Sequence, residues 1–355
     1  MSFSATLMAA ENDSVVTEPA ATGNWVKQLI ASGFEIHDPA INYPKFMRFC
    51  LKVYDWGDRT FNSYDSSYVV STGKNWKLTG RTYNWAESYF MQFSGDTRLR
   101  MISDIYSDIG ANIGFMAVNV GYTFNANDLF HAPVAKRKNY DYSFTCALFA
   151  ASLNYTSTDG GVRITKFGDY NLHGHSFKFN AVSQETTSAN LYYFFNHRKY
   201  SQAAAYCYSK YQLKSAGSLI LGFNFNKQKI YLDFSALPYD MLLFLPGNHD
   251  KYSFHYKDYN VICGYAYNWV LHPRRWLANA TILPSIGYRH TYEDSTDGKK
   301  DMFAANVTGM FSFVYNHRSL FASLNGRFDG NLFFGSSYTF MNSIESLSLT
   351  VGARF

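Results

Sequence analysis

The feature of this chain that most restricts its fold is the regular alternation of apolar with small or polar residues along most of its length. Between residues 261 and 271 every second residue is apolar, while the residues between them include Gly264, Ala266 and Asn268. A period of two is typical of a β-strand whose two faces meet different surroundings. The pattern recurs in residues 276–288, 303–315 and 320–328. The chain is therefore predicted to be all-β.

The composition of the two faces indicates where each one points. The apolar face carries residues such as Tyr265, Ile282, Phe311 and Val351, whereas the other face carries mainly Ser, Thr, Asn, Gly and isolated Arg. A soluble β-sandwich would place many Lys and Glu residues outside. Only 17% of the chain is charged and 19% is aromatic, against roughly 25% charged residues in an ordinary soluble domain. This favours a barrel with its apolar face toward lipid. The period alone also allows a soluble all-β binding protein.

Turn signals divide the pattern into strands joined by alternating short and long connections. Four short connections are predicted to be tight hairpins, at Asn196 (NHRK), Asn226 (NKQ), His272 (HPRR) and Asn316 (NHRS), because Asn and Pro supply turn geometry. Outer-membrane barrels have short periplasmic turns, so both NHR turns are expected on the periplasmic rim. The predicted fold class is all-β: a transmembrane, antiparallel, up-and-down β-barrel of about 12 to 14 strands with a short N-terminal helical leader.

Three regions follow from this interpretation. Residues 1–23 are expected to be the remnant of a signal peptide or a disordered N-terminus, since a short apolar stretch lacks the positive start of a complete signal. Residues 24–65 space their apolar residues at helical intervals and are predicted to form a periplasmic or plug-like leader. Residues 66–355 are the predicted outer-membrane barrel.

The end of the chain is in phase with the strands before it. Leu347, Leu349, Val351 and the terminal Phe355 lie on the predicted apolar face. Such a strand can pair with an exposed sheet edge of the barrel-assembly machinery during biogenesis. These four residues are the candidate membrane-assembly signal.

Ionisable residues on the polar face are candidates for lining the lumen. By phase they are Asp141, Asp233, Arg289, Arg327 and Arg354. A charge inside a barrel must pair or meet water. The set therefore predicts either an internal salt-bridge network that stiffens the barrel or a selectivity surface for a small anionic solute.

Several functional classes gain no support from the sequence. The formal charge of +5 is spread over short turns and forms no stripe for nucleic acid. The four cysteines lie far apart without a C-x-x-C spacing. One close histidine pair, His173 and His175, has no third ligand nearby. We therefore predict no catalytic residue, no metal and no cofactor. No window approaches the roughly 18 apolar residues of a membrane helix.

Three segments carry a likeness to a known family: FNSYDSSYVV, SDIYSDIGANIGFMAVNVGY and YYFFNHRKYSQAAAYCYSKYQLKSAGSLILG. They resemble a family of outer-membrane proteins from Bacteroidota that is classed only as a domain of unknown function. The resemblance covers residues 43–355 and is most specific at NHRKYSxxAA and QLKSAGS. It implies an integral protein of a Gram-negative outer membrane and supplies no reaction or catalytic residue.

The sequence leaves the function open between classes. The first hypothesis is a non-enzymatic outer-membrane barrel, either a porin-like channel or a structural partner in an envelope complex. The alternative is an enzyme that modifies lipid or lipopolysaccharide, since Ser and His chemistry can be built on a barrel wall. Expected partners are membrane lipid and lipopolysaccharide, the barrel-assembly machinery, and other outer-membrane proteins or lipoproteins. Nucleic acid is not an expected partner.

Overall fold

A computed structural model of the chain describes residues 24–93, 97–115, 118–126, 136–172, 175–245, 250–292, 300–334 and 338–355. The predicted signal remnant at residues 1–23 and His173 lie outside this part of the chain. The fold divides into two compact units, Met1–Tyr54 and Asp55–Phe355. Helices described here include α1 (Trp25–Ala31), α2 (Lys45–Phe61), α3 (Gln202–Tyr206) and α4 (Tyr239–Leu242). Within the described ranges, no helix combines the length and apolarity needed to cross a membrane.

The two N-terminal helices have recognisable end signals. The Asn24 side chain accepts a hydrogen bond from the Val26 backbone N–H at 3.0 Å, which caps the start of α1. Gly33 follows α1 with a positive φ of 70°, the left-handed conformation that commonly ends a helix. Pro44 directly precedes α2, where its missing N–H costs no helical hydrogen bond.

Most of the chain forms one antiparallel sheet of 15 strands, β2–β10 and β12–β17. A separate pair is formed by β1 (Val69–Ser71) and β11 (Lys210–Gln212). The bounds in the main sheet are β2 Trp76–Phe93, β3 Arg98–Ser103, β4 Tyr106–Phe115, β5 Val118–Asn125, β6 Lys136–Thr145, β7 Phe149–Asp159, β8 Val162–Phe167, β9 Phe177–Phe179, β10 Val182–Phe194, β12 Ala216–Asp233, β13 Lys251–His272, β14 Trp276–Thr291, β15 Asp301–His317, β16 Leu320–Phe334 and β17 Tyr338–Arg354.

The sheet has up-and-down topology, and its first and last strands pair with each other. Strands β12 to β16 each pair with the next strand in sequence, and β17 pairs with β2 over its whole length. Short breaks split three crossings into β3 with β4, β7 with β8, and β9 with β10, so the strands in the described residues make twelve crossings. The predicted antiparallel up-and-down barrel of 12 to 14 strands is confirmed. Among the described residues, β5 is paired with β4 and β6 with β7.

We call the end of the barrel that holds the start of β2 and the end of β17 the near rim, and the opposite end the far rim. At the near rim, Trp76 and Phe355 exchange two backbone hydrogen bonds of 3.0 Å each. The NHRS and HPRR segments form tight turns there, with positive φ at Arg318 and Arg274. At the far rim, β3 pairs directly with β8. Because this pairing bypasses β4 to β7, the wall is narrower at that level.

Two of the predicted turns are wrong. Asn226, predicted as a hairpin, lies inside the continuous strand β12. Asn196 lies at the near rim, as Asn316 does. It does not form a tight hairpin, because residues 195–215 make a longer connection between β10 and β12. Tyr200 also lies in this connection. We call residues 195–215 the plug segment, for the reason given below.

The outward face of the barrel changes character along each long strand. From the near rim upward, β13 exposes Leu271, Trp269, Tyr265, Val261 and Tyr259. Beyond Tyr259 the same face continues with Lys257, His255, Ser253 and Lys251. In β12 the change falls between the aromatic Phe225 and Lys227. A membrane strand needs about 9–11 residues, and β13 has 22. The near half of the wall therefore has the length and surface of a membrane-spanning band, and the far half extends beyond it.

Candidate functional site

The interior of the barrel is the candidate site, and the plug segment fills its near end. This segment leaves the wall at Phe194, forms the short helix α3 and rejoins the wall at Ala216. Its residues Tyr200, Ser201 and Ala205 have no exposed surface. Ala205 belongs to a cluster with the inward wall residues Leu277 and Val314, and Tyr200 belongs to a cluster with the wall residues Ile220 and Ile262. The near end of the lumen is therefore occupied by the chain itself.

Wall side chains hold the plug segment by its backbone carbonyl groups. Four donors make these bonds: Arg354 Nε to Tyr208 O at 2.6 Å, Lys77 Nζ to Cys207 O at 2.9 Å, Ser312 Oγ to Ala205 O at 2.7 Å, and Asn268 Nδ2 to Ser201 O at 3.0 Å. These donors come from four different strands around the ring. Buried carbonyl groups without partners are costly, so this set of donors specifies where the plug segment sits.

Arg354 is the most connected of these donors. Besides Tyr208, its guanidinium donates to Asn316 Oδ1 at 2.6 Å and lies 4.4 Å from the centre of the Phe321 ring. The side chain is buried, and its partners accept hydrogen bonds without carrying a charge. Arg354 therefore joins the last strand, the NHRS turn and the plug segment, and its polar groups are engaged within the protein.

Tyrosine hydroxyl groups of the plug segment bond to polar residues of the wall. Tyr206 donates to Asn279 Oδ1 at 2.7 Å, and Asn279 Nδ2 donates to Tyr200 Oη at 3.2 Å. Tyr208 accepts from Ser323 Oγ at 2.6 Å and from Asn325 Nδ2 at 2.7 Å. Burial raises the pKa of the Tyr200 and Tyr206 hydroxyl groups. These hydroxyls stay neutral and act as structural hydrogen-bonding groups.

The middle of the lumen contains a polar layer centred on Arg289. Its Nε and Nη2 atoms each lie 2.6 Å from a carboxylate oxygen of Asp258, and neither side chain has exposed surface. Nη1 donates to Leu332 O at 2.7 Å, and the guanidinium stacks 4.0 Å from the Tyr256 ring centre. A bidentate pair that is also stacked is strongly held. The Arg289 guanidinium is therefore paired with the carboxylate of Asp258, on the neighbouring strand.

Other inward polar residues form chains of hydrogen bonds across the strands. Asn260 donates to Asn224 at 2.9 Å, and Asn224 donates to Asn190 at 2.8 Å, along one row of the sheet. Arg327 bonds to Asp329 of its own strand at 2.9 Å, and Thr308 also donates to Asp329 at 2.7 Å. Arg327 is therefore paired with Asp329, as Arg289 is with Asp258.

The far end of the lumen is filled by an aromatic core. Buried side chains from β2, β3, β8, β12, β13, β16 and β17 meet there. Phe254 stacks on Phe340 with ring centres 4.3 Å apart and meets Phe333 edge-on at 5.3 Å. Offset stacks and edge contacts are the preferred aromatic geometries. At this end of the barrel the apolar side chains of these strands therefore point inward.

Two of the five predicted lumen residues differ from the prediction: Asp233 lies on the outer face, and Asp141 lies on the inner face but is exposed. Asp233 ends β12 on the same side as Phe223, accepts a hydrogen bond from the Ser235 backbone N–H and pairs with Lys251 at 3.4 Å. It does not line the lumen. Asp141 is on the inner side of β6, opposite Asn154, and its side chain is exposed. Three residues of the proposed assembly signal point outward: Leu347, Leu349 and Val351. About half of the surface of each residue is exposed.

Sequence reasoning missed Lys77, Tyr208 and Glu87. Glu87 is 1% exposed and accepts hydrogen bonds from Tyr89 at 2.9 Å and Thr158 at 3.1 Å. Lys77 and Glu87 lie at positions of β2 that face inward, so the alternation along β2 could have indicated both residues. No sequence pattern indicated Tyr208, because the plug segment has no regular alternation of apolar and polar residues. Among the described residues, no group of three His, Cys, Asp or Glu side chains could hold a metal ion.

The fold and the filled interior define a class of protein: an up-and-down β-barrel with an apolar outer band and a lumen occupied by its own side chains and plug segment. The chain belongs to the family described as Domain of unknown function (DUF4421), which matches residues 63–355. A comparison with curated proteins gives no match.

Solved structures similar to this chain include the outer membrane protease OmpT from Escherichia coli, with 7% identity, 79% of this chain and 97% of that chain covered, and a TM-score of 0.35. The translocator domain of the autotransporter NalP from Neisseria meningitidis has 8% identity, 87% and 96% coverage, and a TM-score of 0.32. Neisserial surface protein A has 9% identity, 78% and 97% coverage, and a TM-score of 0.24. At these scores the similarities say nothing about the function of this chain.

Proposed function

We propose that this protein is an integral outer-membrane barrel with a filled lumen that acts as an anchored structural partner in the cell envelope and does not form an open channel. The observation that carries the proposal is the closure of the lumen at both ends. The plug segment, fixed by Arg354 and three other donors, occupies the near end. The aromatic core around Phe254 occupies the far end.

The membrane location is supported by the outward band of the near half. This band presents Leu219, Phe223, Tyr265, Ile282 and Val351 as exposed residues. In water such a continuous apolar surface would be unfavourable, whereas a bilayer requires an apolar band about 25 Å tall. Only closed barrels or helices can satisfy their backbone groups in lipid. We place the near rim, with its short turns, on the periplasmic side, so that the far extension reaches the cell surface.

A free cysteine in the band provides the test of membrane insertion. Cys263 is exposed on the outward face of β13. With the other three cysteines replaced by Ser, a charged maleimide should fail to label Cys263 in intact membranes and should label it after denaturation. The matched control moves the thiol up the same face: C263S with S253C should label readily in membranes. Equal labelling at both positions would contradict the membrane band.

Planar-bilayer recording tests the filled lumen. Because both ends are occupied, the purified protein should give no stable ohmic steps under conditions in which a porin control conducts. Weakening the plug with R354A should increase maleimide labelling of Cys207, the plug residue whose carbonyl group bonds to Lys77. Regular conductance steps from the unmodified protein would contradict a filled lumen and favour the porin-like channel.

A second candidate function is an enzyme that modifies membrane lipid or lipopolysaccharide. It is favoured by His290 and Asp301, whose Nδ1 and Oδ1 atoms lie 2.9 Å apart on the outer face where the apolar band ends. A carboxylate that orients a histidine is a frequent part of proton-transfer sites. Mass spectrometry of outer-membrane lipids incubated with the protein should then show new acyl species that H290A abolishes.

A further inference from the structure

Helix α2 carries a row of apolar side chains on an exposed side. This apolar row consists of Phe46, Phe49, Val53 and Trp56, whose exposed fractions lie between 48% and 72%. Spacings of three and four residues place them next to one another along the helix. The apolar side of a helix in a globular domain normally faces the core of that domain. Because this row is exposed among the described residues, it is a surface for an apolar partner outside the chain.

A row of basic residues borders the apolar row. This basic row consists of Lys45, Lys52 and Arg59, at intervals of seven residues, close to two turns of a helix. Lys45 and Lys52 lie four residues before and three residues after Phe49, and at these spacings side chains are neighbours on a helix. Arg59 lies three residues after Trp56, and all three basic residues are exposed. Aromatic residues beside lysine and arginine are typical of a helix that lies in the plane of a membrane surface.

The C-terminal end of α2 is attached to the barrel at the near rim. The ring of Phe61, the last residue of the helix, meets the ring of Phe149 edge-on, with centres 5.5 Å apart. The Leu148 backbone N–H also donates to Phe61 O at 3.3 Å. Phe149 begins β7 opposite Tyr193, beside the point where the plug segment leaves the wall. It lies on the outward face, because the next residue, Ala150, belongs to a cluster inside the lumen. The helix therefore ends at the outer side of the near rim.

Ring contacts join the apolar row to the outer surface of the barrel wall. Trp56 meets Phe61 edge-on, with ring centres 5.6 Å apart, and Phe61 in turn contacts Phe149. Phe149 packs against Phe144 of β6, also at 5.6 Å. A membrane that covers the wall thus reaches the end of the apolar row without a break. Anionic lipid head groups attract lysine and arginine close to the membrane surface, so the same membrane also matches the basic row.

We propose that α2 lies in the surface of the leaflet around the near rim and binds anionic phospholipid there. The inference rests on the membrane location and orientation proposed above. The apolar row enters the boundary between head groups and acyl chains, about 5–10 Å deep. The basic row stays at the level of the phosphate groups, because lysine and arginine reach water from an apolar surface through their long side chains.

Depth measurements on the full chain in vesicles test the proposal. The vesicles contain phosphatidylglycerol and phosphatidylcholine with a nitroxide on the acyl chains, and a fluorophore is attached to one cysteine in a cysteine-free background. With V53C, in the apolar row, the nitroxide should quench the label strongly and aqueous acrylamide should quench it weakly. The matched control R48C, exposed on the polar side of the same helix, should show the reverse order. F46C supplies a second position in the apolar row and should behave as V53C does.

Charge variants test the role of the basic row. K45Q/K52Q/R59Q should reduce nitroxide quenching of the V53C label, because each basic residue near an anionic surface strengthens binding about fivefold. The loss should disappear in vesicles of phosphatidylcholine alone. The control K166Q/K178Q/K300Q removes the same charge from exposed lysines at the far rim and should leave the quenching unchanged. Equal quenching in the two triple variants would overturn the assignment of anionic phospholipid.

A label on Cys263 separates failure of this inference from failure of the membrane proposal. Each variant is first checked for heat-modifiable gel mobility, which reports a folded barrel. If the nitroxide quenches Cys263 but not V53C, the membrane location stands and this inference is overturned. Protection of V53C from both quenchers would also overturn it, since a protein surface would then cover the apolar row. If the nitroxide quenches neither position, the membrane location fails and this inference fails with it.

Discussion

At the scale of single residues, Arg289 shows how much a buried charge depends on one partner. Arg289 and Asp258 have no exposed surface and share two hydrogen bonds of 2.6 Å. Removing one partner leaves the other charge buried without compensation, which typically costs about 3–5 kcal/mol. We expect R289M to lower the free energy of unfolding by that amount in urea titrations in detergent micelles, followed by tryptophan fluorescence.

The double variant R289M/D258L supplies the control for this prediction. It removes both charges, so its loss of stability should be smaller than that of R289M alone, because replacing a buried ion pair by apolar residues is often close to neutral. A double variant less stable than the single variant by a further 2 kcal/mol or so would mean that the pair is worth more than its desolvation costs.

The residue scale also marks a limit of sequence analysis. Arg289, Arg327 and Arg354 were all assigned to the lumen by phase, and all three lie inward. Their partners could not be predicted, because these come from a neighbouring strand, from the same strand and from the plug segment, respectively. Asp233 was misassigned because β12 was divided into two strands at Asn226. A residue is assigned to the inward or outward face by counting along one strand, so a wrongly placed turn reverses the assignment of the residues after it.

At the scale of whole elements, alternation predicted best the strands whose two faces differ most in polarity. The near halves of β13 to β17 have a largely apolar outer face and an inner face with many polar residues, so their two faces differ strongly in composition. The far half of β12 gave no such contrast. Its residues Asn226 to Lys229 place Asn and Gln inward, toward the polar layer, and lysines outward, toward water. A strand that is polar on both faces has the composition of a turn, which explains the wrong hairpin.

The plug segment could not be predicted for a related reason. It repeats the letters NHR of the true turn at Asn316, but it is buried on several sides and therefore has neither a period of two nor a clear helical face. Its placement depends on donors far away in sequence, such as Lys77 and Arg354. These donors come together only in the folded barrel wall, so the local sequence of the plug segment does not indicate them.

Close packing between strands leads to a prediction about the β13–β14 pair. A Cβ atom added at Gly287 would lie 2.0 Å from the Tyr259 backbone oxygen. Because that oxygen belongs to the neighbouring strand, it cannot move away without disturbing the register. We expect G287A to lower the free energy of unfolding by about 1–3 kcal/mol. The urea midpoint in detergent measures the change.

The matched control is G80A on β2. The nearest atom to a Cβ added there is Val351 Cγ2 at 3.8 Å, an ordinary contact. This variant should leave the midpoint unchanged or raise it slightly, since glycine in a strand interior is unfavourable relative to alanine. Two variants that are equally destabilised would show that the close approach at Gly287 is not the cause.

At the scale of the whole molecule, the fold depends on a contact between the two ends of the barrel sequence. Strand β2 starts at Trp76 and pairs along its full length with β17, which ends at Arg354. Four of the plug segment's anchors also come from distant parts of this ring. Neither the closed wall nor the seat of the plug segment exists until the last strand is in place. Assembly is therefore expected to be slow and concerted, as it is for folds dominated by non-local pairing.

The register of this closing contact can be tested by oxidative crosslinking. Thr82 pairs with Leu349, whereas Leu347 pairs with Asn84. Residues directly opposite each other in an antiparallel pair have Cα atoms about 4.5–5.5 Å apart, within the range for a disulfide. Diagonal neighbours are about 7–8 Å apart, beyond it. In a cysteine-free background, T82C/L349C should crosslink efficiently and migrate as a closed ring on denaturing gels without reductant. T82C/L347C should crosslink weakly, and the reverse result would mean that the barrel closes with a register shifted by two residues, which keeps the same residues inward but changes their cross-strand partners.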